Sequence, residues 1–129
     1  MKIGIFFLLA ILTTPIFAQT SIMEELGYIS LQQVTFGSVS YLASQDKWYG
    51  KQFAGGFDAF MSVAGVNNAL VQESGIQSIG YYLLSAGFFA KSFYNFKYAG
   101  DRTSKEVFWV NYIGYNILVY FGYFLDSIK

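Results

Sequence analysis

Along this chain small and polar residues recur at steps of three and four, within stretches otherwise filled with Phe, Tyr, Leu, Ile and Val. Such steps gather residues on one face of an α-helix, whereas a half-buried strand alternates with period two. Between Gly27 and Ser44 the series is Ser30, Gln33, Gly37, Ser40 and Ser44. Between Phe53 and Val71 it is Gly55, Asp58, Ser62, Gly65 and Ala69, running on to Gln72. Gly80, Leu84, Gly87 and Lys91 share a face from Ile76 to Asn95, and Asn111, Gly114, Leu118 and Gly122 do so from Val107 to Leu125. The pattern predicts an all-α chain with four helices at about 27–44, 53–71, 76–95 and 107–125.

Stretches of this length match the ~20 residues that cross a ~30 Å hydrocarbon core. The basic residues point the same way. Lys47, Lys51, Lys91, Lys97, Arg102 and Lys105 fall in or beside the first and third gaps, and the second gap, Gln72-Glu73-Ser74-Gly75, has none. Retention of Lys and Arg on the cytoplasmic side produces such alternation. The expectation is an integral membrane bundle of four transmembrane helices in an inner, cytoplasmic membrane of bacterial type, with the mature N- and C-termini on the outer, periplasmic side. The first span is the most polar, carrying Ser30, Gln32 and Gln33, and an alternative is that it lies along the interface. A small outer-membrane β-barrel shares the abundant Tyr, Phe and Gly, but its strands require period two.

Ahead of the spans, Lys2 precedes an apolar run from Ile3 to Leu12, and Thr13 to Ala18 supplies a break and a small residue before Gln19. This layout predicts a signal peptide over 1–18, leaving 19–129 as the four-helix domain. An uncleaved leader leaves the downstream topology unchanged.

Composition narrows the chemistry. The chain is 54% hydrophobic, 21% aromatic and 12% charged, with mean hydropathy +0.39, against roughly 25% charged in ordinary soluble domains. Eight basic and eight acidic residues balance, so nothing suggests nucleic acid as a partner. Without Cys or His there is no disulfide, thiolate, imidazole ligand or Ser-His-Asp triad. No catalytic residues, metal site or cofactor are expected, and the chain does not read as an enzyme.

The candidate site residues are the polar groups expected inside the spans. An ionisable residue there is costly and suggests function by default. Asp58 and Lys91 lie at similar depths on the second and third helices and are expected to pair, each offsetting the desolvation of the other. A structural ion pair or a snorkelling lysine is the plainer reading. Asn67, Asn68, Asn111 and Asn116 are expected to bridge helices or line a path. Gly37, Gly55, Gly65, Gly80, Gly87, Gly114 and Gly122 are expected at packing contacts, although no two glycines stand four apart. Phe57, Phe60, Met61 and Val63 are expected to face acyl chains. Tyr112, Tyr115, Tyr120 and Tyr123 suit either interface anchoring or stacking on a ring-shaped ligand. The function expected is a scaffold or accessory subunit of a membrane assembly, with the lipid bilayer and other membrane proteins or a second copy as partners. The alternative is a conduit for an ion or small solute.

Overall fold

The computed structural model describes residues 22–128, so the expected signal peptide lies outside the described residues. It contains four long α-helices and no strand among the described residues: α1 (Ile22–Ser44), α2 (Trp48–Val71), α3 (Gly75–Phe93) and α4 (Ser104–Ser127). Short links join them, as expected for antiparallel neighbours in a helical bundle. Packing divides the chain between Ser38 and Val39.

In the first unit, two hydroxyls of α1 bond carbonyls of their own helix. Ser30 Oγ donates to Leu26 O and Thr35 Oγ1 to Leu31 O, at 2.9 and 2.8 Å. Its buried positions are Gln32, Thr35 and Phe36, not the expected Ser30, which is exposed. The polar residues of this segment spread around the helix, so the inward face cannot be chosen from spacing alone.

The second unit, from Val39 onward, packs the end of α1 and the whole of α2, α3 and α4. α2 starts at Trp48 rather than near 53, leaving 45–47 as the link, because nothing in Trp48-Tyr49-Gly50-Lys51-Gln52 stops a helix. Gly50 is placed by its neighbour: an added Cβ would stand 2.8 Å from the Leu42 carbonyl carbon and nearer still to its oxygen. The end of α1 and the start of α2 can meet this closely only at glycine. Lys51 Nζ donates to Gln45 O and ties the link down.

The segment 96–106, expected as a loop, is largely helical. α3 passes into a π turn, Tyr94–Tyr98, and then a 3-10 turn, Ala99–Asp101. α4 then begins behind Thr103, whose side chain accepts the Glu106 N–H at 3.2 Å. Thr103-Ser104-Lys105-Glu106 has the spacing of a capping box, which fixes this start three residues ahead of the expected 107.

The stripe read on α2 is the buried face: Gly55, Asp58, Ser62, Gly65 and Ala69 are all buried. Phe57 is buried with them and does not face outward as expected; its ring meets Tyr115 edge-on at 5.7 Å. Averaged over its own residues, no helix among the described ones is long and apolar enough to cross a membrane. The expected spans are therefore not evident helix by helix, because each helix mixes a polar stripe with an apolar one.

Candidate functional site: a buried ionic layer between α2, α3 and α4

Three helices each deliver polar side chains to one level of the second unit. Asp58 comes from α2, Lys91 from the last turn of α3, Asn95 from the π turn, and Asn111 and Tyr115 from α4. Spacing by four aligns Lys91 with Asn95 and Asn111 with Tyr115 on their respective faces. All five are buried, Asp58, Asn111 and Tyr115 fully so.

Lys91 Nζ lies 3.1 Å from Asp58 Oδ2 and 3.2 Å from Oδ1, and donates to Asn111 Oδ1 at 2.6 Å. The ammonium also sits 3.2 Å from the centroid of the Tyr115 ring, whose negative face attracts it. Gly114 makes room for the lysine stem, since a Cβ there would be 3.1 Å from Lys91 Cε. Asn95 Nδ2 donates to Asp58 Oδ2 at 2.8 Å and to Asn111 Oδ1 at 2.7 Å. Asn111 Nδ2 returns a bond to Asn95 Oδ1 and gives another to Val107 O, both at 2.9 Å. The amide orientations are dictated by charge: Asn95 must turn its NH2 to the carboxylate, and Asn111 its oxygen to the ammonium.

This set is closed. Each amide proton of Asn95 and Asn111 has an acceptor, and one negative and one positive charge cancel. Burying a lone charge is very costly, whereas a paired and fully bonded one is tolerated. Chemically the layer can hold three helices in register. Among the described residues no group of three or more acidic, His or Cys side chains is arranged to hold a metal ion.

Two further polar levels join the same helices. Ser62 Oγ donates to Ser85 O and Ser85 Oγ to Ser62 O, at 2.9 and 2.6 Å. The approach depends on Gly65, where a Cβ would be 3.0 Å from Ser85 Cβ and 3.1 Å from its Cα. Toward the other end Gln77 Nε2 donates to Leu125 O at 2.9 Å, and the Tyr81 hydroxyl bonds the Asp126 carboxylate. On the Asp58 side, Ser92 Oγ donates to Gly55 O at 2.7 Å.

Of the expected site residues, the structure brings together Asp58, Lys91 and Asn111. Asn67 and Asn68 are exposed, correcting the expectation that they face inward. With Gly65 and Ala69 turned to the core, an intervening Asn67 points about 200° away, at 100° per residue. Asn116 is half-buried, and its Nδ2 donates to Tyr112 O within its own helix. Among the packing glycines, Gly55 receives the Phe96 ring, Gly80 receives Leu125, Gly87 receives Leu118, and Gly122 touches Leu84 at ordinary range. At Gly37 nothing among the described residues lies within 4 Å of an added Cβ.

Asn95 and Tyr115 were not singled out as members of this layer by sequence. Their signal was nonetheless present, since each stands four residues beyond a residue that was. The class so defined is an all-α protein with a neutralised ionic layer enclosed by three helices. No known protein family, curated protein or solved structure matches the chain.

Proposed function

We propose that this chain is a small integral membrane protein of the bacterial inner membrane, serving as a scaffold or accessory subunit of a membrane assembly. One observation carries the reading: charged and amide side chains are buried while large apolar ones are widely exposed. Asp58, Lys91, Asn95 and Asn111 are buried, while Val71, Ile76, Ile79, Leu83, Phe89 and Ile117 are each more than 60% exposed. Contiguous exposed apolar faces of this kind are rare on soluble monomers and mark contact with lipid or protein. The hydropathy of a helix taken alone counts inward polar groups that, once the helices are assembled, meet one another instead of acyl chains. That is how a bundle can suit lipid although its separate helices are not apolar enough.

The closed layer also favours structure over transport. A route for an ion or small solute needs groups with spare bonding capacity, and here the amide protons are used internally and the Tyr115 ring covers the ammonium. The recognition surface is then the outer helix faces.

Tagged full-length protein is expected to pellet with membranes, to require mild detergent for release, and to bring the same partner or a second copy with it in repeated purifications. Recovery as a freely soluble monomer without detergent would overturn the reading. Orientation is testable because the chain has no cysteine, so a single introduced thiol reports alone. Gly75→Cys has open space for the side chain, and Arg102→Cys replaces an exposed residue. An impermeant thiol reagent is expected to label the Gly75→Cys protein from outside intact spheroplasts and the Arg102→Cys protein only after lysis. Equal labelling of both would refute the proposed topology.

A further inference from the structure

The two ends of the α2–α4 unit differ in charge and in where the tryptophans lie. Where α2 begins, α3 ends and α4 begins, the chain places Lys47, Lys51, Lys97, Arg102 and Lys105 against Asp46, Asp101 and Glu106. At the opposite end of the unit the described charged residues are Glu73 and Asp126. The segments of the basic end adjoin in space, since the Phe96 ring seats on Gly55 and Ser92 bonds the Gly55 carbonyl.

Within this end the cations are not equivalent. Lys51 is committed to the Gln45 carbonyl. Arg102 lies 3.9 Å from Glu106, both well exposed, a contact of little energetic consequence. Lys47, Lys97, Arg102 and Lys105 are exposed. Rings accompany them: Lys47 Nζ is 5.8 Å from the Tyr49 centroid, and Lys97 Nζ is 5.3 Å from that of Phe93 and 6.0 Å from that of Tyr98. Trp48 is 72% exposed and Trp109 47%.

From this juxtaposition we infer that the basic end of α2–α4 is a docking surface for the phosphate headgroups of anionic phospholipids. The inference rests on the membrane reading above. Exposed Trp and Tyr belong at headgroup depth, with the ring body toward the chains and the polar edge toward water. Cations carried at the same level meet lipid phosphate, and basic residues near an anionic leaflet are each attracted to it. A free anion in water needs the cations but gains nothing from the flanking rings, so the combination selects a lipid. Five cations against three carboxylates leave this end with a positive excess.

The two tryptophans of the chain, Trp48 and Trp109, both sit at this end and report on it directly. Full-length protein is reconstituted into neutral phosphatidylcholine vesicles containing equal small fractions of either brominated phosphatidylglycerol or brominated phosphatidylcholine, with bromine placed high in the acyl chains. Quenching of Trp fluorescence by the anionic lipid is expected to exceed that by the neutral lipid by about twofold, and to fall as salt is raised. The Lys97→Gln/Arg102→Gln/Lys105→Gln protein is expected to lose the preference while keeping its helical circular dichroism, and Lys97→Arg/Lys105→Arg to keep it. Excess inorganic phosphate is expected to leave the preference in place. Equal quenching by both lipids, an undiminished preference in the triple variant, or displacement by inorganic phosphate would each overturn the docking surface and leave the membrane reading standing. Protein that stays in the supernatant and is quenched by neither lipid would overturn both.

Discussion

Changing Asp58 to Asn and Lys91 to Gln together is expected to destabilise the protein less than the two single changes added. Each single change leaves one charge buried without its counter-ion, a situation that costs about 3 to 5 kcal/mol in protein interiors. The double change leaves neutral amides beside Asn95 and Asn111, which already exchange hydrogen bonds with each other. A coupling of at least about 1 kcal/mol in favour of the double variant is expected, measured from reversible unfolding in mixed detergent. Strict additivity would show that the 3.1 Å pair contributes nothing specific. Lys91→Arg is expected to fail as a substitute. The site around Lys91 Nζ is filled by Asn111 and the Tyr115 ring, and a planar guanidinium does not fit a space shaped for a compact ammonium.

Gly65→Leu is expected to be as damaging as either charge change, at about 3 kcal/mol, while Gly56→Leu is close to neutral. At Gly65 the obstacle is the Ser85 backbone, 3.1 Å from an added Cβ, so relief requires α2 and α3 to move apart. Separation breaks the reciprocal Ser62 and Ser85 hydrogen bonds in addition to the overpacking cost. Gly56 stands one position from the buried Gly55 but is exposed, with nothing within 4 Å of a Cβ. Thermal midpoints of the two variants in the same detergent compare them directly. Equal shifts would mean that the loss of glycine in the helix, and not the close approach, sets the effect.

How far the sequence could be read depended on the contrast between helix faces. On α2, Gly55, Asp58, Ser62, Gly65 and Ala69 are all buried because their steps of three and four keep one unbroken stripe of small and polar residues along the helix. On α1 the adjacent Gln32 and Gln33, with Ser30 and Thr35, occupy several directions; the expected stripe includes the buried Ser40 and Ser44 but not Gln32, Thr35 and Phe36. Asn67 and Asn68 are polar yet exposed, because the phase set by Gly65 and Ala69, and not polarity alone, decides which way Asn67 turns. The ends expected at Ser44 and Val71 coincide with those of α1 and α2, whereas α2 and α4 begin ahead of the expected 53 and 107, α4 because the Thr103 cap and not apolarity fixes its start. The site was legible as a pair, Asp58 with Lys91, plus Asn111. Asn95 closes the expected third helix and Tyr115 suits interface anchoring or ring stacking, so hydropathy and spacing do not mark either as a partner of the buried pair.

The wide turn at Tyr94–Tyr98 followed by the narrow one at Ala99–Asp101 makes the end of α3 a length adjuster. Converting regular to narrow winding lengthens the rod by about 0.5 Å for each residue converted and rotates whatever follows by about 20°. Asn95 is inside the wide turn, and its amide is pinned to the Asp58 carboxylate on the neighbouring rod. Rewinding that travelled up α3 past Asn95 would have to unfasten that amide from the Asp58 carboxylate.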